Sequence, residues 1–285
     1  MGLVSDRVRK EDIKPGDHIY TWRACYTYSH HGIYVGGNKV VHFTNPTDGG
    51  LVGLSTSSCH STSKVDHPSP CPASTDCGFR QPDSGVVLSC IDCFLGKGSL
   101  RLFKYGVTKF TFQVKRPGTC TTAQPDLSET VIHRANYLLQ HGFGNYDMVI
   151  NNCEDFAIYC KTGLLDKNGL GRSGQVTSVT AAVPIALVAK VISNAVAVAK
   201  NPVAAVSVAV GAGLYCMTRH KSDIGVGTDV IKVPVEKLAG YIGPRLPSKP
   251  PLSLPPVNAS RGLKEIAELD RLPRCIDYTR PQDRT

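Results

Sequence analysis

The first fifteen residues, MGLVSDRVRKEDIKP, lack the continuous apolar segment of a secretory signal peptide. We therefore expect a cytoplasmic rather than a secreted protein, in which the eleven cysteines are thiols, metal ligands or catalytic groups instead of disulfides. Acidic residues are also scarce, since the chain has 23 Asp and Glu against 32 Lys and Arg, which gives a formal net charge of +9. This excess predicts attraction to a polyanionic surface, and net charge alone does not choose between phospholipid and nucleic acid.

Long hydrophobic runs are missing as well. The longest uncharged stretch covers only the 18 residues 201–218, which is at the lower margin for a transmembrane helix. It lies in an Ala- and Val-rich region, residues 176–217, that lysines and a proline interrupt. Such apolar segments with basic flanks suit either an anchor on the cytosolic face of a membrane or helices that cover a folded domain, and we favour the anchor.

The patterns that are present predict an α+β domain, with strands early and helices late. Strands are predicted over residues 18–22, 29–35, 39–43, 99–105 and 109–114. One helix is predicted from a capping Asp126 to Gly142, and another from Asn151 and Asn152 to Gly163.

These elements set the predicted domain boundaries. The folded domain is placed at residues 1–166, with a Cys-, Ser- and Pro-rich insertion at about 45–84. An apolar, membrane-associated helical region at 167–242 follows, and then a proline-rich, largely disordered tail at 243–285.

Two predicted strands form a hairpin around Gly36, Gly37 and Asn38. Because side chains alternate between the faces of a strand, a two-residue loop would put His30 and His42 on opposite faces. A three-residue loop pairs residue 32 with residue 42 and puts both histidines on one face. Since Gly and Asn readily adopt the left-handed conformation that such a loop needs, we predict that His30 and His42 are diagonal neighbours.

Cys153 lies in the first turn of the second predicted helix, after the favoured capping residue asparagine. The helix dipole there favours a thiolate, whereas the adjacent Glu154 and Asp155 oppose it. A further group must therefore help to ionise the thiol, and histidine is the usual one. His30 could take the proton, and His42 could hold the ring of His30 in the right tautomer. The other histidines are read as ordinary surface or core residues: His18, His31, His60, His67, His133, His141 and His220.

Four more cysteines, Cys71, Cys77, Cys90 and Cys93, have nearly the spacing of a structural zinc site. The second pair is a C-x-x-C, but five residues separate the first pair instead of the usual two to four. A structural zinc ion and four solitary reduced thiols both remain possible here, and Cys59, His60 and His67 could also contribute. No other cofactor is expected.

Three motifs together resemble the lecithin:retinol acyltransferase (LRAT) family, and in particular its plant members. They are the stretch from His30 through Ile33-Tyr34-Val35-Gly36, the stretch Val40-Val41-His42, and Asn151-Asn152-Cys153-Glu154-Asp155-Phe156. The likeness covers about residues 12–165, and by it the catalytic positions fall on His30, His42 and Cys153. Asp155 departs from the family pattern, which has histidine after Cys-Glu.

The resemblance implies a circularly permuted papain-like (NlpC-type) domain with an antiparallel sheet. It also implies a thiol acyltransferase or phospholipase A, in which Cys153 takes an acyl group from a membrane glycerophospholipid as a thioester. Water or an amine such as phosphatidylethanolamine then accepts the acyl group, and no nucleic acid is expected as a partner. Two alternatives stay open: a non-catalytic, membrane-associated interaction protein that keeps the fold, or a Cys/His peptidase or amidase.

Overall fold

A computed structural model describes residues 7–23, 28–45, 71, 74–148, 151–167, 213 and 215–242, all within one compact unit, Met1–Ser253. Most of the predicted insertion, nearly all of the apolar region 176–217 and the whole predicted tail lie outside these residues. Among the described residues, no helix is both long and apolar enough to cross a membrane.

The core of the domain is a five-stranded antiparallel sheet with the strand order β4-β3-β2-β1-β5. The strands are β1 (His18–Arg23), β2 (Tyr28–Gly36), β3 (Lys39–Phe43), β4 (Val86–Cys90) and β5 (Arg101–Leu102). The first three agree with the sequence-based prediction, whereas the strand predicted at 99–105 shortens to the two residues of β5. Together with the helices below, this sheet confirms a mixed α+β architecture.

The β2–β3 hairpin has the predicted register, with Gly32 opposite His42. Its loop differs from the prediction, because the turn consists of Gly37 and Asn38 alone and the third residue becomes an irregularity between Tyr34 and Gly36. Both turn residues have positive φ, 57° and 62°, which glycine and asparagine tolerate best. A two-residue turn plus one irregular residue adds as many residues as a three-residue loop, so residue 32 lies opposite residue 42 in both cases.

The described residues also form helices, some of which contact the strands of the sheet. They are α1 (Ile91–Leu95), α2 (Lys109–Val114), α3 (Ser128–His141), α4 (Cys153–Thr162) and α5 (Ala239–Ile242), with short 3-10 turns at Lys10–Asp12 and Val235–Lys237. The strand predicted at 109–114 is wrong, since this segment is α2. The Thr108 side chain accepts a hydrogen bond from the Thr111 N–H and starts a helix, and the segment buries only Phe112.

The predicted limits of the two long helices are nearly right. Gly142 and Gly163 end α3 and α4 with φ values of 83° and 68°. Asp126, however, does not cap α3, which begins after Leu127 without a side-chain cap. The Asp126 carboxylate instead pairs with Arg134, eight residues on in α3, at 2.7 Å and with the distant Lys232 at 2.6 Å.

The packed core continues beyond the domain boundary predicted at Asp166. Strand β6 (Leu164–Asp166) pairs with β7 (Val230–Lys232), so residues after the apolar region return to the domain. The Arg219 side chain, in a helical segment at 215–221, is buried with its guanidinium carbon 3.8 Å from the centre of the Phe112 ring. Residues 215–242 are therefore part of the folded domain.

Asp223 joins this returning segment to the core, and we expect Asp223→Ala to lower the free energy of unfolding by about 2–3 kcal/mol. Its buried carboxylate accepts hydrogen bonds from the hydroxyls of Thr121 and Thr122 and from the Thr122 N–H, and these donors would lose their acceptor. Denaturant unfolding measures the change. The matched control is Glu236→Ala, which breaks an exposed pair with His133 and should leave the free energy of unfolding nearly unchanged. Equal losses for both variants would contradict the assignment.

Candidate active site

Helix α4 begins with a fully formed capping box that fixes the position of Cys153. The Asn152 side-chain oxygen accepts hydrogen bonds from the N–H groups of Glu154 (2.8 Å) and Asp155 (3.4 Å). In return, the Asp155 carboxylate accepts from the Asn152 N–H at 3.0 Å. Cys153 is therefore the first helical residue, as the sequence predicts, and lies at the positive end of the helix dipole.

The capping box also explains what Asp155 does in a position where the family pattern has histidine. Burial raises the pKa of the Asp155 carboxyl well above its ordinary value, and the neighbouring Glu154 raises it further, against the hydrogen bond from Asn152. A raised pKa favours the uncharged acid, so Asp155 opposes a thiolate on Cys153 less than a surface aspartate would.

The thiol of Cys153 lies against strand β2. Cys153 is only 2% exposed, and its Sγ donates a hydrogen bond to the Ser29 carbonyl oxygen at 3.7 Å. Ser29 is the residue before His30, so the helix start and the histidine strand meet at this point. To give its proton to His30, the thiol must exchange the Ser29 carbonyl for the imidazole.

The two histidines predicted to share a face are hydrogen-bonded to each other. His30 Nε2 lies 3.0 Å from His42 Nδ1, and His42 Nε2 lies 2.9 Å from the Ser89 hydroxyl oxygen on β4. If His30 donates from Nε2, then His42 accepts at Nδ1 and donates from Nε2 to Ser89. His30 then carries its lone pair on Nδ1, which is the form that a general base needs.

Burial keeps both rings uncharged. It lowers the pKa of His30 well below 6.5, with smaller contributions in the same direction from His42, Arg23 and His31. It lowers the pKa of His42 to about 4, and Arg23 contributes there too. The site therefore rests with a neutral imidazole, which suits proton transfer during attack better than a preformed thiolate–imidazolium pair.

A second histidine chain lies on the other face of the sheet. His18 Nε2 is 2.8 Å from His31 Nδ1, and His31 Nε2 is 2.7 Å from the Ser29 hydroxyl. The Tyr105 hydroxyl, 2.8 Å from His18 Nδ1, completes the chain. Sequence reasoning missed this chain, which depends on the pairing of β1 with β2 that puts Tyr20 opposite His31 and makes His18 a diagonal neighbour of His31.

Two further groups near the histidines had no signal in the sequence. The Arg23 guanidinium donates to the carbonyls of Phe94 (2.6 Å) and Leu95 (3.0 Å) at the end of α1, and its charge acts on His30, His42 and Cys153. A cation there stabilises the negative charge that the sulfur acquires once His30 has taken its proton. The Phe94 ring packs against His30 and His42 with ring centres 5.2 Å and 5.5 Å apart.

The buried neutral histidines predict that the fold loses stability in acid. Burial lowers the folded-state pKa of His31 to about 3, that of His42 to about 4 and that of His18 well below 6.5. Below pH 6.5 the unfolded chain therefore binds more protons than the folded one. The free energy of unfolding should then fall by about 1.4 kcal/mol per pH unit for each such histidine until the pH reaches the folded pKa.

Urea unfolding at several pH values checks this expectation. The stabilisation is complete above the unfolded pKa of about 6.5 and decreases as the pH falls from there. A free energy of unfolding that stays constant from about pH 7 to about pH 5 would contradict it.

The fold and the site together define a protein in which a cysteine at a helix start meets a strand that carries a hydrogen-bonded histidine pair. Residues 11–166 match the family model described as lecithin retinol acyltransferase, and the chain therefore belongs to that family. This confirms the resemblance predicted over residues 12–165. "Protein LEAD-SENSITIVE 1" of Arabidopsis thaliana is 45% identical over 245 residues, which cover 84% of this chain and 90% of that protein. The likeness to plant members is thus confirmed as well, and no solved structure matches the chain significantly.

Proposed function

We propose that the protein is a thiol acyltransferase or phospholipase A that acts on membrane glycerophospholipids through a thioester on Cys153. The observation that carries the proposal is the hydrogen-bonded chain His30–His42–Ser89. Cys153 contacts the strand that carries His30 at Ser29, the residue before His30. Family membership supports the chemistry, since acyl transfer is what the family description names.

In the first step, Cys153 Sγ attacks the carbonyl carbon of the lipid ester while His30 Nδ1 takes the thiol proton. The tetrahedral intermediate collapses, the C–O bond breaks, and His30 returns the proton to the departing alkoxide of the lysolipid. In the second step, water or the amine of phosphatidylethanolamine attacks the thioester. His30 then takes a proton from the nucleophile and gives it to the Cys153 thiolate, which leaves as the thiol.

The negative oxygen of the intermediate needs a hydrogen-bond donor near the sulfur. The N–H groups of Glu154 and Asp155 already donate to the Asn152 cap. We assign the backbone N–H of Cys153, at the positive end of the helix dipole, to the oxyanion.

The arrangement is also what a circularly permuted papain-like domain would have, since the histidines precede the cysteine in the chain. Access to the lipid is proposed to occur at the cytosolic face of a membrane. The net charge of +9 attracts anionic headgroups, and the apolar region 176–217 would add hydrophobic contact.

The test is to incubate the full chain with vesicles that contain phosphatidylcholine and phosphatidylethanolamine with labelled acyl chains. We expect one acyl group on the peptide that contains Cys153, released by hydroxylamine, together with labelled fatty acid or N-acylated phosphatidylethanolamine. Vesicle binding without adduct or product would overturn the proposal in favour of a non-catalytic interaction protein. An adduct that forms from amide substrates but never from lipid esters would instead support a peptidase or amidase.

A further inference from the structure

We propose that Cys71, Cys77, Cys90 and Cys93 bind one zinc ion in a closed structural site that supports the histidine pair. The four sulfur atoms all lie within 4.8 Å of one another, although the first two cysteines belong to the predicted insertion and the last two to β4 and α1. The inference does not depend on the proposed acyl transfer.

Two of the distances between the sulfur atoms match a tetrahedral zinc site. Cys71 Sγ lies 3.7 Å from Cys90 Sγ and 3.6 Å from Cys93 Sγ, far longer than the roughly 2.05 Å of a disulfide. In a tetrahedron with zinc–sulfur bonds of about 2.3 Å, the sulfur atoms are about 3.8 Å apart. The described thiols are thus already close to the spacing that a zinc ion would impose.

The backbone around the cysteines provides the hydrogen bonds that thiolate ligands need. The Cys90 N–H donates to Cys77 Sγ at 3.2 Å, and the Cys93 N–H donates to Cys90 Sγ at 3.4 Å. Cys90 is also the residue that caps α1, so its sulfur lies at the start of a helical turn. Such donors stabilise the negative charge of bound sulfur and orient the ligands.

The unusual spacing of the first pair also has a structural explanation. Between Cys71 and Cys77, the Ser74 N–H donates to the Cys71 carbonyl and the Cys77 N–H donates to the Ser74 carbonyl, each at 3.3 Å. Ser74 thus links the backbones of the two cysteines, whose sulfur atoms lie within 4.8 Å of each other. The five intervening residues therefore do not exclude a zinc site.

The chemistry of the ligands limits the choice of metal and indicates its role. Four thiolates in a tetrahedron are typical of zinc or of iron–sulfur centres, and a site with four protein ligands leaves no position for substrate. The ion would therefore stabilise structure rather than take part in a reaction.

The structure that it stabilises adjoins the candidate active site. Ser89, which hydrogen-bonds to His42, directly precedes Cys90, and Phe94, whose ring packs on His30 and His42, directly follows Cys93. A zinc ion bound to Cys90 and Cys93 would hold both neighbours of the histidine pair in place. Ser89 and Phe94 are thus positioning residues whose location depends on the metal.

The experiment measures metal in the full chain, purified under reducing conditions from cells supplied with zinc. Elemental analysis should find about one zinc ion per chain, and Cys90→Ser with Cys93→Ser should reduce it to below about one tenth. Cys216→Ser removes an exposed thiol outside the cluster and should leave the zinc content unchanged. Wild-type protein without zinc, wild-type protein that holds iron instead, or zinc retained by the double variant would each overturn the proposal.

Two measurements on the wild-type chain keep the test decisive if the double variant does not fold. A strong chelator should lower the Tm by at least about 5 °C, and zinc should restore it. Cobalt added to the metal-free chain should give the intense absorption of tetrahedral cobalt–thiolate, with about one ion bound per chain. A Tm that the chelator does not change, or cobalt bound without thiolate absorption, would count against the site.

Discussion

Cys153→Ala is expected to abolish the acyl adduct and to lower lipid turnover by at least about a thousandfold, or about 4 kcal/mol in transition-state free energy. Without the sulfur there is no group in the site to form the thioester, because the neighbouring residues Asn152 and Asp155 are committed to the capping box. Mass spectrometry of the acylated chain and release of labelled fatty acid are the measurements.

Two controls separate this loss from a loss of fold. The capping box involves Asn152, Glu154 and Asp155 and not the Cys153 side chain, so Cys153→Ala should unfold at nearly the wild-type denaturant concentration. Cys160→Ala removes another buried thiol from the same helix and should retain the adduct. Turnover that survives in Cys153→Ala would show that the nucleophile lies elsewhere.

His30→Ala and His31→Ala should have sharply different effects on acylation and stability, although the two residues are neighbours. His30→Ala removes the proposed base and should reduce acylation of Cys153 by about a hundredfold to ten-thousandfold. His31 has both ring nitrogens in hydrogen bonds, to His18 and to Ser29, and so has none left for the thiol. His31→Ala should therefore keep acylation within about tenfold of wild type while it lowers the free energy of unfolding by about 1–3 kcal/mol.

The rate of thiol alkylation and the denaturant midpoint, measured side by side, test this pair of variants. If His31→Ala is too unstable to assay, His31→Gln retains hydrogen-bonding groups in the buried chain and replaces it. The reverse pattern, with loss of reactivity in His31→Ala and retention in His30→Ala, would transfer the base to the other face of the sheet.

The candidate site shows how far local patterns carry a prediction. The pairing of residue 32 with residue 42 follows from the alternation of side chains and from a turn at Gly37 and Asn38, whose positive φ values glycine and asparagine adopt most easily. The start of α4 follows from Asn152, whose side chain accepts hydrogen bonds from the first turn. Its end follows from Gly163, whose backbone N–H donates to the last turn. These features depend on residues a few positions apart, so the sequence contains all that decides them.

Other predictions failed where distant partners compete for the same group. Asp126 has the spacing of a helix cap, but Arg134 and Lys232 offer its carboxylate two ion pairs, and the second is 106 residues away. The alternation at 109–114 is typical of a strand, yet the segment is a helix capped by Thr108 with Arg219 packed on Phe112.

By itself, therefore, the sequence determined the family, the order of the main elements, the hairpin register and the residues that begin and end α4. Only the tertiary structure decided that Ser89 and Phe94 flank the histidine pair, that His31 belongs to a separate buried chain, and that residues 215–242 return to the domain. The physical reason is range: turns and caps are settled by neighbouring residues, whereas side-chain partners and burial are settled by segments that folding brings together from across the chain.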